Sequence, residues 1–146
     1  MYFEEFTPGQ KIEAPSREIR SDDVTEFIDL SWMGNTLFLS DQGARAAGYT
    51  RKLVPGLLVL SMAMGLVQQT GAFDHVMALL EFDHMKFIRS VFHGDTISIT
   101  TTVKSKRPTA NPKRGLVILE YNISNQKKQP VLTTQGAYLI QTQPED

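Results

Sequence analysis

The residues best suited to proton chemistry are the histidines His75, His84 and His93 and the carboxylates Asp23, Asp41, Asp83 and Asp95. Imidazole and carboxylate serve as acid and base because their pKa values can be tuned toward neutrality. Their spacing points to structural work instead. Asp41 precedes a run of fair helix formers and is expected to cap it. Asp95 lies in Gly94-Asp95-Thr96, a turn before a strand, where a carboxylate binds backbone amides. Asp83 and His84 are adjacent in a predicted strand, so they are expected to point to opposite faces. The histidines show no metal-ligand spacing and the chain has no cysteine, so no metal site is expected.

Two further patterns carry chemistry without titrating. Pro55-Gly56 opens a long apolar run, and Pro and Gly both start helices. The glycine amide at a helix N-terminus has no intrahelical partner and carries partial positive charge, so it can donate to a carbonyl oxygen. The basic residues Lys104, Lys106, Arg107, Lys113 and Arg114 surround one predicted loop. They read either as a solvated hairpin tip with lysines guarding strand edges or as a phosphate-binding cluster.

The elements that position these groups follow from periodicity. Pro8-Gly9 punctuates the start, and residues 12–19 form a short edge strand weakened by Pro15. Ser21 is expected as the N-cap of a helix through Val24, Phe27, Ile28 and Leu30, with Asp22 and Asp23 favouring its positive end. A short helix is predicted over 41–47, ended by Gly48. Leu57, Leu58, Leu60, Met62, Met64, Leu66 and Val67 surround the helix that starts at Pro55-Gly56, so it must be buried. Ala63 and Gly65 are expected to let a sheet approach it. Everything after Gly71 alternates as strand: residues 76–88, 96–105, 116–124 and 131–141. One buried helix followed by an antiparallel meander is α+β.

The 146 residues suit one domain, 1–146, with one core. A charged fraction of 21% against 41% hydrophobic fits a globular domain, and a formal net charge of -1 gives no electrostatic case for nucleic acid or an anionic membrane. The apolar run 53–67 is too short and too interrupted to span a bilayer. The acidic start, Met1-Tyr2-Phe3-Glu4-Glu5-Phe6, does not read as a signal peptide, and the absence of cysteine fits a reducing compartment. A cytoplasmic location is the expectation.

Three segments together carry a resemblance. They are Ser31-Trp32-Met33-Gly34-Asn35-Thr36-Leu37-Phe38-Leu39, Val54-Pro55-Gly56-Leu57-Leu58, and Phe87-Ile88-Arg89-Ser90-Val91-Phe92-His93-Gly94-Asp95-Thr96. The chain resembles the MaoC-like (R)-specific enoyl-CoA hydratase and dehydratase family, whose hot-dog fold wraps a curved antiparallel sheet around one long helix. The resemblance implies an acyl-CoA or similar acyl thioester as ligand, no separate cofactor, and a homodimer. The family motif reads Asp-x-Asn-Pro-x-His. In the register set by Asn35, its acid–base positions fall on Met33 and Phe38, and Trp32 to Leu39 contains no ionisable side chain. The resemblance assigns the oxyanion role to Gly56, with Asn35 retained beside it. Pro55 departs from the family, which often has His before this glycine. Met33, Phe38, Leu39, Leu53 and Leu57 are candidates to line an acyl pocket.

Three functions therefore compete. A working hydratase needs a relocated acid–base pair. A thioesterase needs a carboxylate near the central helix, and none lies between Gly56 and Thr70. A non-catalytic acyl-thioester binder or structural subunit needs only the frame.

Overall fold

The computed structural model describes all 146 residues. A short 3-10 turn, Phe3–Glu5, leads into strands β1 (Lys11–Glu13) and β2 (Arg17–Glu18). Helices α1 (Ser21–Ser31), α2 (Thr36–Leu39), α3 (Asp41–Ala46) and α4 (Gly56–Gln68) follow. The chain closes with β3 (Val76–Phe87), β4 (Thr96–Pro108), β5 (Arg114–Ser124) and β6 (Pro130–Gln141). The strands form one antiparallel sheet in the order β1-β4-β5-β6-β3, with β2 also paired to β4. The predicted edge strand around Pro15 thus exists as two short pieces on either side of the proline, which cannot donate to a ladder.

Alternation decides which sheet face is covered. Ile97, Ile99, Thr101 and Val103 of β4 are buried, as are Val117, Leu119, Tyr121 and Ile123 of β5. All of these except Thr101 join Leu58, Val59, Met62, Ala63, Leu66 and Val67 of α4 in one apolar cluster. Burying a Leu or Val side chain stabilises by about 1.5–3 kcal/mol. The helix–sheet interface therefore contributes substantially to stability. Within it the Tyr121 and Tyr138 hydroxyls meet at 2.6 Å. Burial pushes the Tyr138 hydroxyl up to about 12 and raises Tyr121 further.

Four local expectations change. The N-cap of α1 is Arg20, not Ser21: the Asp23 carboxylate reaches back to the Arg20 amide at 2.9 Å and so closes the helix start. Ser40, not Asp41, caps α3, its Oγ accepting from the Gly43 amide at 2.9 Å. Gly65 faces outward with nothing within 4 Å of where a Cβ would stand, so Ala63 alone gives the close approach. Asp83 and His84 do touch, at 3.1 Å, because a bulge in β3 puts His84 at φ 52 and breaks the strand alternation. That pair is exposed on both sides. Gly48, at φ 92, ends the α3 region as expected.

No helix is long and apolar enough to cross a membrane, and no group of three His, Cys, Asp or Glu side chains could hold a metal ion.

Candidate functional site

A cavity lined mostly by apolar side chains lies where the start of α4 meets the end of β3 and the start of β6. Its volume is about 480 Å³, and 12 of its 15 lining residues are hydrophobic. Pro55 fixes the entry of α4. It stands at the N-cap with φ -54 and ψ 134, and its carbonyl accepts the Leu58 and Val59 amides at 3.0 and 3.1 Å. The amides of Gly56 and Leu57 lie ahead of that first bond and have no backbone partner. Both residues line the cavity.

Gly56 is required there by contact. A Cβ on it would stand 2.5 Å from Cε1 of Phe87, so only glycine lets that ring lie across the first turn of α4. Phe87 ends β3 and is itself half-exposed.

The wall also includes Leu53 and Val54, whose segment is stitched in place on both sides. The Leu53 amide donates to the Leu37 carbonyl at 3.0 Å, and the Val54 amide to the Val91 carbonyl at 2.8 Å. Leu53 also bridges to Phe92. The Asp41 carboxylate accepts the Lys52 amide at 2.8 Å and the His93 ring at 3.0 Å. These two hydrogen bonds, the amide first, hold the Asp41 carboxyl below its ordinary value. Arg51 pairs with Asp95 at 3.1 Å, and Asp95 also accepts the Phe92 amide at 2.9 Å, the turn role expected of it.

Met33, Phe38, Leu53, Leu57 and Gly56 thus come together at one cavity. Two other candidates do not. Leu39 lies outside the lining and is half-exposed. Asn35 is the exposed N-cap of α2, and its carbonyl accepts the Phe38 amide at 2.9 Å. It is not part of the cavity wall.

The basic residues are also placed differently from the sequence expectation. β4 runs on to Pro108 and β5 starts at Arg114, so Lys104, Lys106 and Arg107 are strand residues and only Lys113 sits in the turn. Lys104 faces Glu120 at 3.7 Å. Lys106 donates to the Phe3 and Glu4 carbonyls at 3.2 and 3.1 Å, and its ammonium lies over the Phe3 ring. Arg114 pairs in register with Gln141, whereas the cavity is reached by Leu132 at the other end of β6. At about 3.3 Å per residue those ends are roughly 30 Å apart. The turn end of the cluster therefore lies far from this cavity within one chain.

Lining residues that the sequence alone assigns no role are Leu37, Val54, Val59, Ile88, Arg89, Ser90, Val91, Val131 and Leu132, besides Phe87. Their signal was the apolar stretch Phe87-Ile88 at a strand end, which alternation alone treats as ordinary sheet.

The MaoC like domain matches residues 4–122. This chain belongs to the MaoC-like domain family. Protein MaoC of Klebsiella aerogenes is 30% identical over 105 residues, covering 72% of this chain. The match takes in only 31% of that protein, so this chain corresponds to about a third of it. Among solved structures, the monoamine oxidase regulatory protein from Archaeoglobus fulgius is 30% identical with a TM-score of 0.89, covering 99% of this chain and 96% of that one. The (R)-hydratase from A. caviae involved in PHA biosynthesis is 25% identical with a TM-score of 0.76, covering 95% and 98%. The MaoC-like fold is the hot-dog arrangement, so the fold expected from the three sequence segments is the fold found.

Proposed function

We propose that this MaoC-like domain binds an acyl thioester, such as an acyl-CoA, without the acid–base pair that hydration uses. The observation that carries the reading is the meeting of two features at one cavity. The free amides at the start of α4 stand beside an apolar volume of about 480 Å³, within the range of small-molecule sites. A thioester carbonyl can accept from such an amide while the acyl chain lies against Met33, Phe38, Leu53 and Leu57. Kinship with an (R)-hydratase supports the ligand class.

Met33 and Phe38, at the positions the motif register assigns to acid and base, are both in the cavity wall, and neither carries a proton at any pH. Asp41 and His93 form the nearby carboxylate–imidazole pair. They are outside the lining and occupied with the Lys52 backbone, which argues against a relocated dyad. No carboxylate lines the cavity, which argues against a thioesterase.

Half-exposed Met77, Leu79, Leu80, Phe87 and Ile88 lie on or beside the edge strand β3. Pairing of two such edges in a homodimer would cover them.

Titration calorimetry and thermal shift with octanoyl-CoA test the binding. Saturable heat and a raised Tm are expected, together with crotonyl-CoA hydration far below the roughly 10 per second common among enzymes. Absence of binding to any acyl-CoA sinks the thioester reading. Fast hydration sinks the non-catalytic part of it.

A further inference from the structure

The cavity has a sign. Arg89 is the only ionisable residue in its lining, and no Asp or Glu accompanies it. The Arg89 guanidinium enters no ion pair, whereas Arg17 and Arg51 are matched with Asp23 and Asp95. Its backbone is anchored: the Ile88 and Arg89 amides point at the Val131 carbonyl, at 2.9 and 3.4 Å. The side chain therefore starts from a fixed place on the cavity rim with its charge unspent. Ser90, beside it in the lining, has a hydroxyl that also meets no protein partner. The remaining polar donors of the wall are the free amides at the start of α4, which add positive potential and no negative. An apolar volume with one unpaired cation and no anion favours an apolar molecule that brings its own negative charge.

We propose that Arg89 is a specificity-determining residue that reads an anionic group on the ligand. The bound molecule is then an apolar chain joined to a phosphate or ending in a carboxylate. A phosphate would come with the pantetheine arm of a thioester, and a carboxylate with the free acyl chain. Guanidinium suits both, since its planar fork donates two parallel hydrogen bonds to either group. Ser90 supplies a further donor for the same oxygens. The proposal rests on the acyl-chain reading above and sharpens it by fixing the charge of the ligand.

Three probes separate the sources: octanoyl-CoA, octanoate, and the neutral thioester S-octanoyl-N-acetylcysteamine. Each is titrated calorimetrically into the wild-type chain, Arg89→Gln and Arg89→Lys, at low and high salt. Arg89 is exposed, so both variants should keep the wild-type Tm, which is checked first. Arg89→Gln should weaken the anionic probe that binds by about 10- to 100-fold, the size of a lost charged hydrogen bond. Arg89→Lys should keep part of that affinity, and the salt dependence should shrink with the charge. The neutral thioester carries no anionic group for the guanidinium to read, so its affinity should change by less than about twofold. Equal losses for the neutral and anionic probes, or no loss for the anionic ones, would overturn the role of Arg89 and leave the thioester reading standing. Arg89-dependent binding of octanoate with no binding of either thioester would do the reverse. Failure of all three probes to bind overturns both.

Discussion

One Asp41 carboxylate oxygen accepts the His93 Nε2–H at 3.0 Å and the Lys52 amide at 2.8 Å, while the His93 amide donates to the Lys52 carbonyl at 3.1 Å. Both backbone groups of Lys52 are thereby held, the amide by the Asp41 side chain and the carbonyl by the His93 backbone amide. An ionised carboxylate only accepts, so the His93 proton is on Nε2. The next residue, Leu53, is cavity wall. The pair thus acts on the cavity through the backbone it fixes.

This contact sets an acid limit. The Asp41 carboxyl is held below its ordinary value of 3.8, so its contribution to stability is present above that value and is lost as pH falls through the lowered folded value. Thermal melts from pH 7 to pH 3 should show Asp41→Asn with a lower Tm at pH 7 and a shallower fall below about pH 4. An unchanged acid limb in the variant would show that Asp41 does not contribute to it.

Asp41 also shows where sequence reasoning stops. The helix after it is legible in the sequence, because alanines and glycine spacing are local signals. Its carboxylate partners lie 11 and 52 residues away, and no periodicity reports them. The strands β4 and β5 could be read to the residue face because alternation is itself the burial pattern. Gly56 could be placed because Pro-Gly before an apolar run is local. Arg89 and Phe87 could not, since their role depends on β3 ending against α4, a tertiary fact.

Thr101 is fully buried on β4 opposite Tyr121, and its Oγ1 has no hydrogen-bond partner. An unsatisfied buried hydroxyl costs about 1–3 kcal/mol. Thr101→Val keeps the branched shape and removes that cost, so chemical denaturation should give a more stable protein by about 1 kcal/mol. A destabilised variant would mean that the hydroxyl has a partner, such as a buried water.

Gly56→Ala should separate binding from stability. The new methyl would lie 2.5 Å from Phe87 Cε1 and 2.6 Å from Cδ1, so the ring must move. Phe87 is half-exposed and can turn, so the change in stability should stay within about 1 kcal/mol. The displaced ring lies in the cavity lining, so octanoyl-CoA affinity should fall by more than about tenfold, equivalent to roughly 1.4 kcal/mol. Adding Phe87→Ala should recover part of it. Undiminished affinity in Gly56→Ala would place the ligand elsewhere.

Met33 and Phe38 line the same cavity as Gly56 with its free amide, so the motif positions and the proposed oxyanion donor share one space. Replacing the pair by Met33→Asp and Phe38→His therefore tests whether the frame still fits hydration chemistry. Each role of an acid–base pair is worth about 100- to 10,000-fold in rate, and the two act as a unit. The double variant should hydrate crotonyl-CoA measurably, while each single variant stays near background. The cavity is apolar, so a new carboxylate there is destabilised in its charged form, and its pKa should rise. Hydration in the double variant should accordingly be greatest where that carboxylate is ionised and should fall as pH is lowered through its raised pKa. Equal activity in the double variant and either single variant would show that Met33 and Phe38 do not address one substrate, and the register on Asn35 would be wrong.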